Sequence, residues 1–120
     1  MILYYSATGN CKYVANRIAS KTRDIAVSMI GHDDSIYLKK GESLGIVVPV
    51  HFWGLPAFVT EFLSETDIKS EDKNPYIFLI ATFGSSPGYC CGYLADLIES
   101  KGFNVCLLYT SDAADDRISV

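Results

Sequence analysis

The sequence predicts an α/β fold: one parallel sheet covered by helices on both faces. Three observations carry this. Apolar runs that read as strands alternate along the chain with segments whose apolar residues recur at helical spacing. Two of the strand-like runs, 44–50 and 76–82, are apolar almost throughout, as expected of strands buried on both faces. The chain has 120 residues, 49% of them hydrophobic, which is one domain's worth and enough for a sizeable core.

The elements follow in order. Residues 2–5 form a short apolar run that opens straight into a Gly-containing turn. From 11 to 21, Cys11, Val14, Ala15, Ile18 and Ala19 recur at helical spacing, with Asn10 as the N-cap. Residues 25–30 read as a strand, and 31–43, polar with Asp33-Asp34 and Lys39-Lys40-Gly41, read mostly as loop. The strand 44–50 comes next. After Gly54 and Pro56, residues Phe58, Val59, Phe62 and Leu63 mark a second helix. A polar stretch, 64–74, ends on the stop signal Lys73-Asn74-Pro75 and leads into the strand 76–82. The loop 84–88 follows, and Tyr93, Leu94, Leu97 and Ile98 form one face of a third helix that Gly102 ends. A last strand is expected to begin at Phe103.

Composition excludes several function classes. Net charge is −4 and the ten Lys and Arg are scattered, so no basic face is available for nucleic acid. The longest apolar stretch, 44–55, is interrupted by Pro49 and His51 and is too short to span a bilayer. Residues 1–5 run directly into 6–10 with no basic leader, which points to the cytoplasm. Cys11, Cys90, Cys91 and Cys106 have neither metal-ligand spacing nor a disulfide framework and read as small semi-buried thiols. Cys11 and Arg17 satisfy the Cys-x5-Arg spacing of a phosphatase loop, but residues 12–16 lack glycine and fit a helix interior.

In parallel sheets, ligands sit at the carboxyl ends of strands near the point where strand order reverses. The three most unusual segments, 6–11, 49–56 and 82–89, fall at such ends. The first, Ser6-Ala7-Thr8-Gly9-Asn10-Cys11, turns from a strand into a helix N-terminus. Its backbone N–H groups, the helix dipole and the hydroxyls of Ser6 and Thr8 suit a phosphate; an N-cap box without ligand uses the same residue types. The segment resembles the first loop of the flavodoxins, Ser/Thr-x-Thr-Gly-Asn-Thr, which holds the FMN phosphate. Cys11 stands where that pattern has its last hydroxyl, a loss worth about 1 kcal/mol of binding.

In the second segment, Pro49-Val50-His51-Phe52-Trp53-Gly54-Leu55-Pro56, the rings of Phe52 and Trp53 suit the walls of a planar isoalloxazine, and equally a core or a partner interface. Gly54 permits a peptide to turn toward the flavin N5. This stretch is similar to the Pro-Val-Tyr-Phe-Trp-Gly-Leu-Pro segment of EFR-type ferredoxins, which join an N-terminal flavodoxin-fold domain to two 4Fe-4S clusters. His51 replaces the Tyr and, near a flavin, would make the reduction potential pH-dependent. The third segment, Thr82-Phe83-Gly84-Ser85-Ser86-Pro87-Gly88-Tyr89, resembles the Thr-x-Gly-Gly-Ser-Pro-Gly loop of that family, with Ser85 for the second Gly. It offers amides to the pyrimidine edge, and Phe83 or Tyr89 offers a second aromatic contact; taken alone, it also reads as a turn before a helix.

The resemblance covers residues 1 to about 105. It implies a flavodoxin-like three-layer α/β sandwich with sheet order 2-1-3-4-5 and FMN at the carboxyl edge. It further implies electron transfer to a redox partner protein or to fused iron–sulfur clusters, with no catalytic side chain and no metal ligand in this chain. An FMN-dependent NAD(P)H or quinone reductase and a flavin-free binding module are the other readings. Residues 106–116, Cys-Leu-Leu-Tyr-Thr-Ser-Asp-Ala-Ala-Asp-Asp, resemble the translated read-through of a sequencing-library adapter, so the domain is expected to be cut short at about Val105 with 106–120 as a non-native tail. A genuine strand at 105–109 with a polar tail is the other reading. On the first reading a strand forms near 103–109, the end is disordered after about Ser111, and the final helix is missing. Leu3, Tyr5, Ile46 and Val48 would then lose cover on one face.

Overall fold

The computed structural model describes residues 1–5, 10–32, 35–50, 57–83 and 90–112. In chain order the elements are β1 (Ile2–Tyr4), α1 (Asn10–Thr22), β2 (Ala26–Ser28), β3 (Ser35–Leu38), β4 (Leu44–Val50), α2 (Ala57–Glu65), β5 (Asp67–Ser70), β6 (Ile77–Phe83), α3 (Cys90–Glu99) and β7 (Leu107–Asp112). Five strands form one parallel sheet in the order β2-β1-β4-β6-β7. Counting those strands alone, this is the expected 2-1-3-4-5.

Alternation along the strands decides which helix each residue meets. On one face Ile2, Val47 and Ile80 pack against Cys11, Val14, Ala15, Ile18 and Ala19, the apolar stripe of α1. On the other, Leu3, Ile46, Val48 and Leu79 pack against Val59 and Leu63 of α2 and Leu94 and Ile98 of α3. Helix α1 stops where Arg23 adopts a left-handed φ of 56° and the Asp24 N–H donates to the Ala19 carbonyl at 2.9 Å, a Schellman closure. After α3, Gly102 at φ 94° plays the corresponding part.

Segment 31–43, mostly loop as expected, contains β3, and the polar stretch 64–74 contains β5; the two strands pair in parallel as a separate two-stranded sheet. Their buried residues Ile36, Leu38 and Ile68 join the core under α2 and α3. The last strand starts at Leu107 rather than Phe103: Phe103 and Val105 pack against that core, and the ladder opens with the Cys106 N–H donating to the Ile77 carbonyl at 2.8 Å. Leu3, Ile46 and Val48 do not lose cover; each is 0% exposed, because they face α2 and α3 rather than α1. Tyr5 is half-buried and stacks on Phe58 with ring centroids 5.2 Å apart. Residues 113–120, where a disordered end is expected, lie outside the described residues.

On the α1 face the Phe78 ring lies over Gly45. A Cβ on Gly45 would sit 2.6 Å from Phe78 Cε2, so the ring must swing away to admit it. Gly45→Ala is therefore expected to cost about 1–3 kcal/mol in urea unfolding. Adding Phe78→Leu should return part of that loss, and full additivity would exclude the contact as its cause.

Candidate functional site

The three loops singled out in the sequence follow β1, β4 and β6, which are adjacent parallel strands. From β1 the chain moves to β2 on one side and later returns through β4 on the other. The strand order thus reverses between β1 and β4, where open α/β sheets bind ligands. The Tyr5 N–H donates to the Val47 carbonyl at 3.1 Å and ties the last residue before the first loop to β4. Pro49 pairs in register with Thr82 and Val50 with Phe83, so the second and third loops leave the sheet level with each other.

Asn10 is the first residue of α1, one position inside the expected cap. The first turn of α1 carries no acidic residue, so its N–H groups and dipole meet no carboxylate of their own and suit an anion. Cys11 follows within that turn. Its Sγ lies 3.2 Å from Thr82 Oγ1 near the end of β6, and the two residues are 2% and 3% exposed. Burial pushes the thiol pKa up, and the Thr82 hydrogen bond opposes this more weakly. Cys11 is accordingly a neutral hydrogen-bonding thiol, not a thiolate nucleophile.

Of the residues named from the sequence, the fold brings Cys11 against Thr82 and sets Pro49 beside Thr82 in the ladder. Asn10, Val50 and Phe83 are placed by their backbone at the same edge. Ser6, Ala7, Thr8, Gly9, His51, Phe52, Trp53, Gly54, Gly84, Ser85 and Tyr89 lie outside the described residues.

The sequence profile of the flavodoxin domain matches residues 1–99. The chain belongs to the flavodoxin domain family. Its fold is similar to the solution structure of two-electron reduced Megasphaera elsdenii flavodoxin, with a TM-score of 0.72 at 16% identity over 97% of this chain and 89% of that one. A flavodoxin from the domain Archaea gives 0.68 at 20% identity over 95% and 85%. A Lactobacillus acidophilus flavoprotein solved in complex with FMN gives 0.59 at 15% identity over 92% and 91%. At these identities the likeness is one of fold. No curated protein matches the chain.

Within this flavodoxin domain the Cys-x5-Arg spacing makes no phosphate loop. Residues 12–16 are the interior of α1, and Arg17 lies along the exposed Tyr13 side chain, its Nη1 3.2 Å from the Tyr13 hydroxyl, while Cys11 is buried. Among the described residues no group of His, Cys, Asp and Glu is arranged to hold a metal. No described helix is long and apolar enough to cross a membrane.

Phe58 and Phe62, which mark α2 in the sequence, also form an aromatic stack in this flavodoxin domain: their ring centroids lie 6.2 Å apart, and Phe58 continues the stack to Tyr5. With Met29, His32, Glu61 and Glu65 they line an open cavity of about 250 Å³ beside the end of β2. The i, i+4 spacing of Phe58 and Phe62 was the available signal.

Proposed function

We propose that this flavodoxin domain binds FMN at the carboxyl ends of β1, β4 and β6 and serves as an electron carrier in the cytoplasm. The observation that carries the reading is the convergence of three patterned loops on adjacent strand ends beside the switch point. The acid-free first turn of α1 fits the phosphate.

In this reading Ser6, Ala7, Thr8, Gly9 and Asn10 surround the phosphate with backbone and hydroxyl donors. Phe52 and Trp53 wall the ring, and the peptide at Gly54 meets its N5 edge. Gly84 and Ser85 offer amides to the pyrimidine edge, with Phe83 or Tyr89 as a second aromatic contact. Bound FMN supplies the redox chemistry by accepting and releasing electrons. The protein binds and orients it.

The electron acceptor we propose is a redox partner protein or the two 4Fe-4S clusters of an EFR-type fusion, which the 49–56 segment supports. We also propose that residues 106–120 are adapter-derived; the resemblance of 106–116 supports this, and sequencing the genomic locus past codon 105 tests it.

Trp53 is the sole tryptophan, so its emission reports on the site directly. FMN titration is expected to quench that emission saturably and to leave flavin absorbance on the desalted protein. Gly54→Ala should then shift the reduction potentials measured by spectroelectrochemistry. Absence of both quenching and flavin bands would leave only a flavin-free binding module.

A further inference from the structure

We infer that the Cys11–Thr82 hydrogen bond is a strut between the first and third loops, which makes both residues positioning residues for the flavin rather than ligands of its phosphate. The inference rests on the FMN reading and deepens it.

The two residues are 71 positions apart in the chain, and their side chains meet inside the protein. Cys11 belongs to the first turn of α1, directly behind the loop 6–9. Thr82 lies two residues before the loop 84–89, and its register partner Pro49 leads to the loop 51–56 between them. A single contact thus reaches from the phosphate end of the site over β4 to the strand that carries the third loop.

Thr66 and Thr82 are the buried polar residues among those described. Thr66 satisfies its hydroxyl within its own segment, on the Phe62 carbonyl, whereas the Thr82 hydroxyl meets the Cys11 thiol. Removing the thiol leaves the Thr82 hydroxyl buried without this partner, and removing the hydroxyl takes away this polar contact between α1 and β6. Either change loosens the hold of α1 on β6, and with it the spacing between the phosphate loop and the third loop. A residue that only touched the phosphate would have no such reach.

Riboflavin, which has the ring but no phosphate, separates the two roles. Wild type, Cys11→Ala, Thr82→Val and the double variant are titrated with FMN and with riboflavin, well below each variant's melting temperature. Each single variant is expected to weaken both ligands by about fivefold or more, and the double variant to be no weaker than the poorer single. Cys11→Ser and Thr82→Ser, which keep a hydrogen-bonding group, should stay within about twofold of wild type.

If Cys11→Ala weakens FMN alone and leaves riboflavin unchanged, Cys11 is a phosphate ligand and the strut is overturned; additive losses in the double variant overturn it equally. If wild type binds neither flavin, the FMN reading fails and the positioning role fails with it. Amide exchange reads the mechanical link without any ligand: Thr82→Val should speed exchange at Val14 and Ala15, which close the first turn of α1. Unchanged exchange there overturns the strut whatever the flavin does.

Discussion

Replacing Thr8 with Leu and Gly9 with Val raises the FMN dissociation constant by at least about tenfold, because a charged ligand loses donors worth roughly 1.5–3 kcal/mol each. Leu at position 8 removes a hydroxyl donor. Val at position 9 adds a branched side chain where backbone N–H groups must approach the phosphate. Riboflavin, without a phosphate, should lose much less, and far-ultraviolet circular dichroism should not change. Titration by flavin fluorescence checks the result, and an unchanged FMN affinity would remove residues 6–11 from the site.

Ile46→Ala costs about 2–5 kcal/mol in urea unfolding, a large part of the roughly 5–15 kcal/mol that holds a domain of this size together. Ile46 is 0% exposed and belongs to the cluster of Leu3, Leu79, Val59, Leu63, Leu94 and Ile98 under α2 and α3. Truncation there leaves a cavity between sheet and helices. If Ile46 lay on a face short of cover, the loss would stay below about 1 kcal/mol. The midpoint of unfolding therefore decides whether the face that Ile46 occupies is covered.

Much of the fold is legible in the residue order because its periodic signals are long. The stripe Cys11, Val14, Ala15, Ile18 and Ala19 spans more than two turns and admits one helical face, which is the face that packs on Ile2, Val47 and Ile80. Residues 44–50 and 76–82 are too apolar to have a wet side, and they became β4 and β6 within one residue at each end. Short elements carry no comparable signal. In β3 only Ile36 and Leu38 turn inward, and in β5 only Ile68, so four residues of alternation look like ordinary polar loop until the two strands meet.

The parallel α/β class, the helices, the long strands and the positions of three loops at strand ends are all written in local residue patterns, since each depends on neighbours a few residues away. Tertiary structure alone decided which side of the sheet each residue meets. Alternation says that Leu3 and Tyr5 share a face, as do Ile46 and Val48, but not whether α1 or the pair α2 and α3 covers it. Cys11 reads in the chain as a defective phosphate ligand. In the folded protein its sulfur lies 3.2 Å from Thr82 Oγ1, a contact between residues 71 positions apart. Such a pairing depends on how α1 lies across β4 and β6, and no local pattern encodes that distance.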